Sequence, residues 1–112
     1  MIQREKILQN QVLCWLNFYK FLAYHIPNRG LYSGRTKRYN IVDKWFVPGV
    51  PDIEVILSEG RTVRIELKDR AGVVSEAQEK MLERLAALGH EAFVARDLET
   101  VETYFRQHGY IK

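Results

Sequence analysis

One hundred and twelve residues, 46% of them hydrophobic and 28% charged, suit one compact domain, 1–112, with a single core and little room for a second module. No apolar run is long enough to span a bilayer, the N-terminus lacks the ordered zones of a signal peptide, and the lone Cys14 excludes an internal disulfide, so the chain reads as cytoplasmic. The net charge of +3 is unevenly spread: between Asn28 and Phe46, Arg29, Arg35, Lys37, Arg38 and Lys44 face only Asp43, a local balance of +4.

In chain order, residues 3 to about 23 predict a helix. Leu8, Val12, Leu13 and Leu16 recur at helical spacing, and neither Gly nor Pro intervenes before Pro27. Cys14 lies in this apolar stretch without a paired histidine and reads as buried filler. Glu5 and Gln9, four apart, share a face near the core stripe. Taken alone they are a surface pair at a helix start, where an acidic residue suits the helix dipole. Residues 24–30 predict a short extended piece ending in a turn at Pro27 and Gly30. His25 is a weak metal or proton-transfer candidate, since a single histidine without ligand spacing is usually structural. Residues 31–40 mix basic, aromatic and small side chains. Such a loop suits a phosphate backbone, with Tyr32 or Tyr39 stacking on a base or sugar, although a solubilising loop has the same composition. Ile41 to Val47 predicts the first strand, with Trp45 and Phe46 anchoring the hairpin after it. Pro48 to Pro51 makes a rigid bend, in which Gly49 permits close backbone approach or positive φ.

The next stretch carries the chemistry. Ile53-Glu54-Val55-Ile56-Leu57 and Thr62-Val63-Arg64-Ile65-Glu66-Leu67-Lys68, separated by Ser58-Glu59-Gly60-Arg61, read as an antiparallel hairpin. Alternation puts Ile53, Val55, Leu57, Val63, Ile65 and Leu67 on one face. Asp52, Glu54, Arg64, Glu66 and Lys68 fall on the other, with Asp52 opposite or diagonal to Glu66. Two carboxylates on neighbouring strands offer hard oxygen ligands to Mg²⁺ or Mn²⁺, and an adjacent lysine can orient an attacking water or stabilise charge on a phosphate. A solvated face of ordinary ion pairs, Glu54 with Arg64 and Glu66 with Lys68, is the plainer reading of the same residues.

Beyond Lys68, Asp69 to Gly72 reads as a loop. Ser75 and Gln78 have capping-box spacing and open a helix to about Leu88, with Met81, Leu82, Leu85 and Leu88 as its buried stripe. Glu91 to Ala95 predicts a strand with Phe93 and Val94 buried. Strand, helix, strand implies a parallel, right-handed crossover. Asp97 caps a last helix whose Leu98, Val101, Tyr104 and Phe105 face inward. Arg96, at the strand's end, is placed to bind phosphate or to pair with Asp97 or Glu99.

Pro51-Asp52, with Glu66-Leu67-Lys68 fourteen residues after Asp52, resembles the signature of the PD-(D/E)xK nuclease superfamily. Gly49-x-Pro51-Asp52, Ile65-Glu66-Leu67-Lys68, Ser75-x-x-Gln78 and Gly89-His90-x-x-x-Val94-x-Arg96 together resemble the VRR-Nuc family, including its small stand-alone phage and bacterial members. The resemblance implies an α/β restriction-endonuclease-like core in α-β-β-β-α-β-α order, with a small mixed central sheet. It further implies a Mg²⁺- or Mn²⁺-dependent DNA endonuclease. Asp52, Glu66 and the Leu67 main-chain carbonyl would hold metal, Lys68 would position water, Glu5 and Gln9 would complete the site, and Gln78 would touch phosphate or water. Arg29, Arg35, Lys37, Arg38, Tyr39, Ser75 and Arg96 would meet DNA. Stand-alone members are similar to Holliday-junction resolvases, acting as homodimers on branched DNA. The rival readings are a sequence-specific restriction-like endonuclease and a non-catalytic DNA-binding module of the same fold.

Overall fold

The computed structural model describes residues 3–27, 31–33, 38–40, 45 and 47–112. Helix α1 (Gln3–Phe18) is followed by β1 (Leu22–His25), a small hairpin of β2 (Leu31–Ser33) and β3 (Arg38–Asn40), then β4 (Ile53–Ile56) and β5 (Thr62–Leu67). Helix α2 (Glu76–Ala87), β6 (Glu91–Ala95) and α3 (Leu98–Gln107) complete the chain. The main sheet runs β1-β4-β5-β6, antiparallel except for the parallel β5–β6 pair. The element order is therefore the expected one, with the β2–β3 hairpin inserted. No helix among the described residues is long and apolar enough to cross a membrane.

The first strand is not the expected one. α1 stops at Phe18 because the chain turns at Lys20, whose φ of 64° lies in the left-handed region. Phe21 then donates its N–H to the Leu16 carbonyl at 3.0 Å and packs edge-on against Phe105. The next four residues, β1, pair with β4 in the register Leu22↔Ile56 to His25↔Ile53. Left-handed backbone at a non-glycine residue gives little sequence signal, so residues 19–23 read as more helix. Of the strand expected at 41–47, residues 41–44 and 46 lie outside the described residues. Trp45 sits in a turn and is 76% exposed, so it is not a core anchor.

The hairpin follows its alternation. Ile53, Val55, Val63, Ile65 and Leu67 are buried with Leu8, Val12 and Leu16 of α1 and Val101 and Phe105 of α3, while Leu57 is partly buried against them. Each such side chain contributes about 1.5–3 kcal/mol by leaving water. α3 matches its reading: the Asp97 side chain accepts from Thr100 N–H, Val101 and Phe105 are buried, and Leu98 and Tyr104 pack at the margin. α2 buries less than its stripe suggests. Leu85 is buried, Met81 and Leu82 are half-buried, and Leu88, beyond the last turn, is 66% exposed. In β6 it is Ala95 that is fully buried, with Phe93 and Val94 only partly so. Cys14 is exposed on α1 rather than buried.

Candidate active site

The hairpin register runs from Ile56↔Thr62 to Ile53↔Ile65, and one step further brings Asp52 level with Glu66. Asp52 Oδ2 accepts a hydrogen bond from the Leu67 N–H at 2.8 Å, so the acid at the mouth of β4 is aimed at the end of β5. Its direction is set from behind. Pro51 is buried, and Gly49 has φ +86°, with a Cβ built there only 2.5 Å from the Ala77 carbonyl oxygen. The bend before Asp52 thus lies directly on the first turn of α2, a closeness that only glycine allows.

That same turn of α2 supplies the next contact. Ser75 Oγ accepts from the Gln78 N–H at 3.2 Å, and Gln78 Oε1 accepts from the Ser75 N–H at 2.9 Å, the reciprocal cap expected from the sequence. The amide's other end is free to reach the sheet. Gln78 Nε2 donates to Glu66 Oε1 at 2.5 Å. Because Glu66 alternates with the core-facing Ile65 and Leu67, this bond places the start of α2 over the opposite face of the sheet.

Glu66 is 2% exposed, and its second oxygen, Oε2, is buried without a hydrogen-bond partner. Burial pushes its carboxyl up to about 8, and the neighbouring charges of Asp52 and Glu5 push the same way, against Lys68 and the Gln78 amide. Glu91, at the opposite end of the parallel pair, shows what a satisfied carboxylate looks like. Burial raises it too, but Tyr104 and Tyr110 donate to its two oxygens at 2.6 and 2.5 Å, and its carboxyl is held below the usual range. Leaving one buried carboxylate oxygen orphaned costs about 1–3 kcal/mol or more, so a group in that state is a candidate for a missing partner.

Around it lies an open cleft of about 470 Å³, lined by Glu5, Lys6, Gln9, His25, Ile26, Pro27, Asp52, Glu66, Leu67, Lys68 and Gln78. It lies where the carboxyl ends of β1 and β5 meet the start of β4. Every residue assigned catalytic or metal-binding roles from the sequence lines it: α1 brings Glu5 and Gln9, the hairpin brings Asp52, Glu66, Leu67 and Lys68, and α2 brings Gln78. Two more come from places where the sequence carries little signal. His25 arrives at the end of β1, and Ile26 beside it donates its N–H to the Asp52 carbonyl at 2.7 Å. Lys6 follows Glu5 on α1, where a basic residue next to an assigned acid is the available signal.

The DNA-facing assignments are more scattered. Arg29, Arg35 and Lys37 lie outside the described residues, and Arg38 and Tyr39 fall in β3. Ser75 is exposed at the cap of α2. Arg96 turns away from Asp97 and Glu99: its Nη1 donates to the carbonyls of Asp69 at 2.8 Å and Gly72 at 2.6 Å.

No family model matches the sequence, and no curated protein matches it. Among solved structures, one described as a VRR_NUC domain superposes with a TM-score of 0.67 at 22% identity, over 96% of this chain and 98% of its own. A second, described as a VRR_NUC domain protein, superposes with a TM-score of 0.66 at 27% identity, over 92% of this chain and 85% of its own. The fold is that of the VRR-Nuc domains. The likeness read from four short motifs is thus accompanied by a likeness of fold to these VRR_NUC domain structures over nearly the whole chain.

The donor set also fits a hard divalent cation. Glu66 Oε2 is a buried, unpartnered oxygen beside a second carboxylate, and two carboxylates with waters and phosphate oxygens are what Mg²⁺ takes. No group of three or more His, Cys, Asp or Glu side chains with metal-binding geometry occurs among the described residues. The carboxylates that line the cleft are those of Glu5, Asp52 and Glu66.

Proposed function

We propose that the chain is a divalent-metal-dependent DNA endonuclease that hydrolyses phosphodiester bonds, acting as a homodimer on branched DNA such as a four-way junction. The observation that carries the reading is the orphaned, buried oxygen of Glu66 next to Asp52 in a cleft that also receives Lys68. Two carboxylates this close repel one another when both are ionised, and a bound cation offsets that repulsion.

Asp52, Glu66 and the Leu67 carbonyl would hold Mg²⁺ or Mn²⁺, which when bound supplies an acidified water and a clamp on the phosphate. The protein's residues do the orienting. Gln78 holds Glu66 through Oε1, and Oε2 has no hydrogen-bond partner. The Leu67 N–H holds Asp52 Oδ2. Lys68, on the cleft wall, orients the attacking water and offsets charge developing on the phosphate. Glu5 and Gln9 present an acceptor and an amide from α1, and Lys6 adds a positive charge at the rim suited to a flanking phosphate. The basic excess between Asn28 and Phe46 supports a nucleic-acid substrate. A domain with one such cleft cuts two strands symmetrically only as a pair, and a two-fold dimer provides that pair.

The test is cleavage of a labelled four-way junction and a matched linear duplex by wild type and Lys68→Ala, in Mg²⁺, Mn²⁺ or EDTA. Symmetric nicking of the junction by wild type alone, abolished by EDTA, is expected. Lys68→Ala should lose about 10²–10⁴-fold in rate. Undiminished activity in EDTA would remove the metal, equal cleavage of linear DNA would remove the branch preference, and tight binding without cleavage would leave a DNA-binding module.

A further inference from the structure

The segment after Lys68 is held far more firmly than an exposed turn requires. Lys68 N–H donates to the Ala95 carbonyl at 3.1 Å, which carries the β5–β6 ladder one residue past β5 and sets Arg96 beside Asp69. One Arg96 nitrogen then grips two carbonyls, Asp69 and Gly72, across the turn. Asp69 is itself 6% exposed. Its Oδ1 accepts from the Ala71 N–H at 3.1 Å, and its Oδ2 lies 3.3 Å from Arg4 Nε on α1, within ion-pair range but not aligned as a hydrogen bond. The turn therefore ties β6 to the first turn of α1, next to Glu5.

Gly72 is where this arrangement meets the cleft. A Cβ built on it would lie 3.1 Å from Asp69 Oδ1, 3.3 Å from Lys68 Cδ and 3.4 Å from Glu5 Oε1. The stem of Lys68 and the carboxylate of Glu5 thus pack against the backbone that Arg96 holds. The φ of Gly72 lies outside the left-handed region, so its smallness rather than its backbone freedom is what the site uses.

We propose that Arg96, Asp69 and Gly72 form a brace that positions Lys68 and Glu5 over the Asp52–Glu66 pair. Arg96 is accordingly a positioning residue rather than a phosphate ligand, and the inference rests on the nuclease reading above. Displacements well under 1 Å at a water-orienting lysine are enough to slow a reaction, because near-attack geometry tolerates little error.

The experiment compares wild type with Gly72→Ala, Arg96→Met and Arg96→Lys. It measures kcat and KM on the junction, DNA affinity without divalent metal, the melting temperature, and the side-chain NMR resonance of Lys68. Gly72→Ala keeps a compatible backbone and should melt within about 2 °C of wild type. Gly72→Ala and Arg96→Met should each lose about tenfold or more in kcat with KM and DNA affinity changed by less than about twofold, and both should move the Lys68 resonance. Arg96→Lys, whose ammonium still reaches a carbonyl, should recover part of the loss. Arg96→Met that binds DNA about tenfold more weakly at unchanged kcat would make Arg96 a phosphate ligand and overturn the brace. Gly72→Ala with wild-type kcat and an unmoved Lys68 resonance would overturn it too. Should wild type cleave no DNA, the nuclease reading falls, and the Lys68 resonance in Gly72→Ala alone decides the brace: movement supports it, and no change refutes it.

Discussion

Two acidic positions on one sheet face, two residues apart, are treated in opposite ways. Glu54 faces Arg64 across the hairpin at 3.2 Å and accepts from the Tyr24 hydroxyl at 2.6 Å, so its charge is matched on both sides. One step toward the cleft, Asp52 faces Glu66, like against like, and Glu66 keeps a buried oxygen without a hydrogen-bond partner. The same two strands, twist and solvent boundary serve both pairs. What differs is that the first pair joins opposite charges and closes on itself, whereas the second sets two acids side by side. A buried acid held beside a second acid is costly in a fold and useful in an active site.

The widest separation between the pairs should come from neutralising each acid. On the proposed metal-dependent mechanism, Glu66→Gln is expected to lower DNA cleavage by about 10³-fold or more, because the proposed metal site loses a ligand. It should leave the metal-free protein as stable as wild type or more so, because the cost of keeping a buried acid protonated above its ordinary range is removed. Glu54→Gln should do the reverse, costing stability while leaving cleavage within about twofold. A Glu66→Gln protein that cuts at the wild-type rate would erase the distinction.

Titration sharpens the same contrast. Because the folded-state carboxyl of Glu66 is raised to about 8 from an ordinary value of 4.5, the native protein holds a proton there that the unfolded chain has lost. Stability should therefore fall as pH rises from about 4.5 to about 8 and level off above, by an amount on the order of a few kcal/mol. Mg²⁺ should flatten that fall, since it favours the ionised acid, and Glu66→Gln should abolish it. Melting curves across this range in EDTA and in Mg²⁺ would measure both, and a slope indifferent to the substitution would exonerate Glu66. Smallest of all is the matched pair. A double-mutant cycle on Glu54 and Arg64 should give a coupling of about 0.5–1 kcal/mol, more than a fully exposed pair because both side chains are partly covered. A value indistinguishable from zero would mean that Tyr24 alone satisfies Glu54.

How far the molecule can be read in advance depends on how local each signal is. The β4–β5 hairpin, the Ser75–Gln78 cap and the Asp97 cap rest on neighbours within a few residues, and all three stand where their residue patterns put them. β1 is hidden in the sequence because the turn that follows α1 is made at Lys20, a residue with no helix-ending preference, so Leu22 to His25 carry on the apolar run. Arg96 misleads for a related reason. Its nearest acids in sequence, Asp97 and Glu99, are not its partners, and the carbonyls it does hold come from a turn some two dozen residues earlier, brought close only by the parallel crossover. The amide of Gln78 shows both sides: its capping role is written in the spacing from Ser75, whereas its bond to Glu66 exists only once α2 has folded back over β5.

The turn at Ser58 to Gly60 lies at the far end of the hairpin from the cleft, yet it acts on the cleft as a ruler. Asp52 and Glu66 share a level because the chain between them has the length that pairs Ile53 with Ile65. Insertion or loss of one residue that slid one strand against the other would swap its two faces. It would carry Glu66 into the apolar layer and leave Ile65 or Leu67 beside Asp52. The number of residues in the turn thus sets which acids meet in the cleft, although the turn lies at the other end of the hairpin.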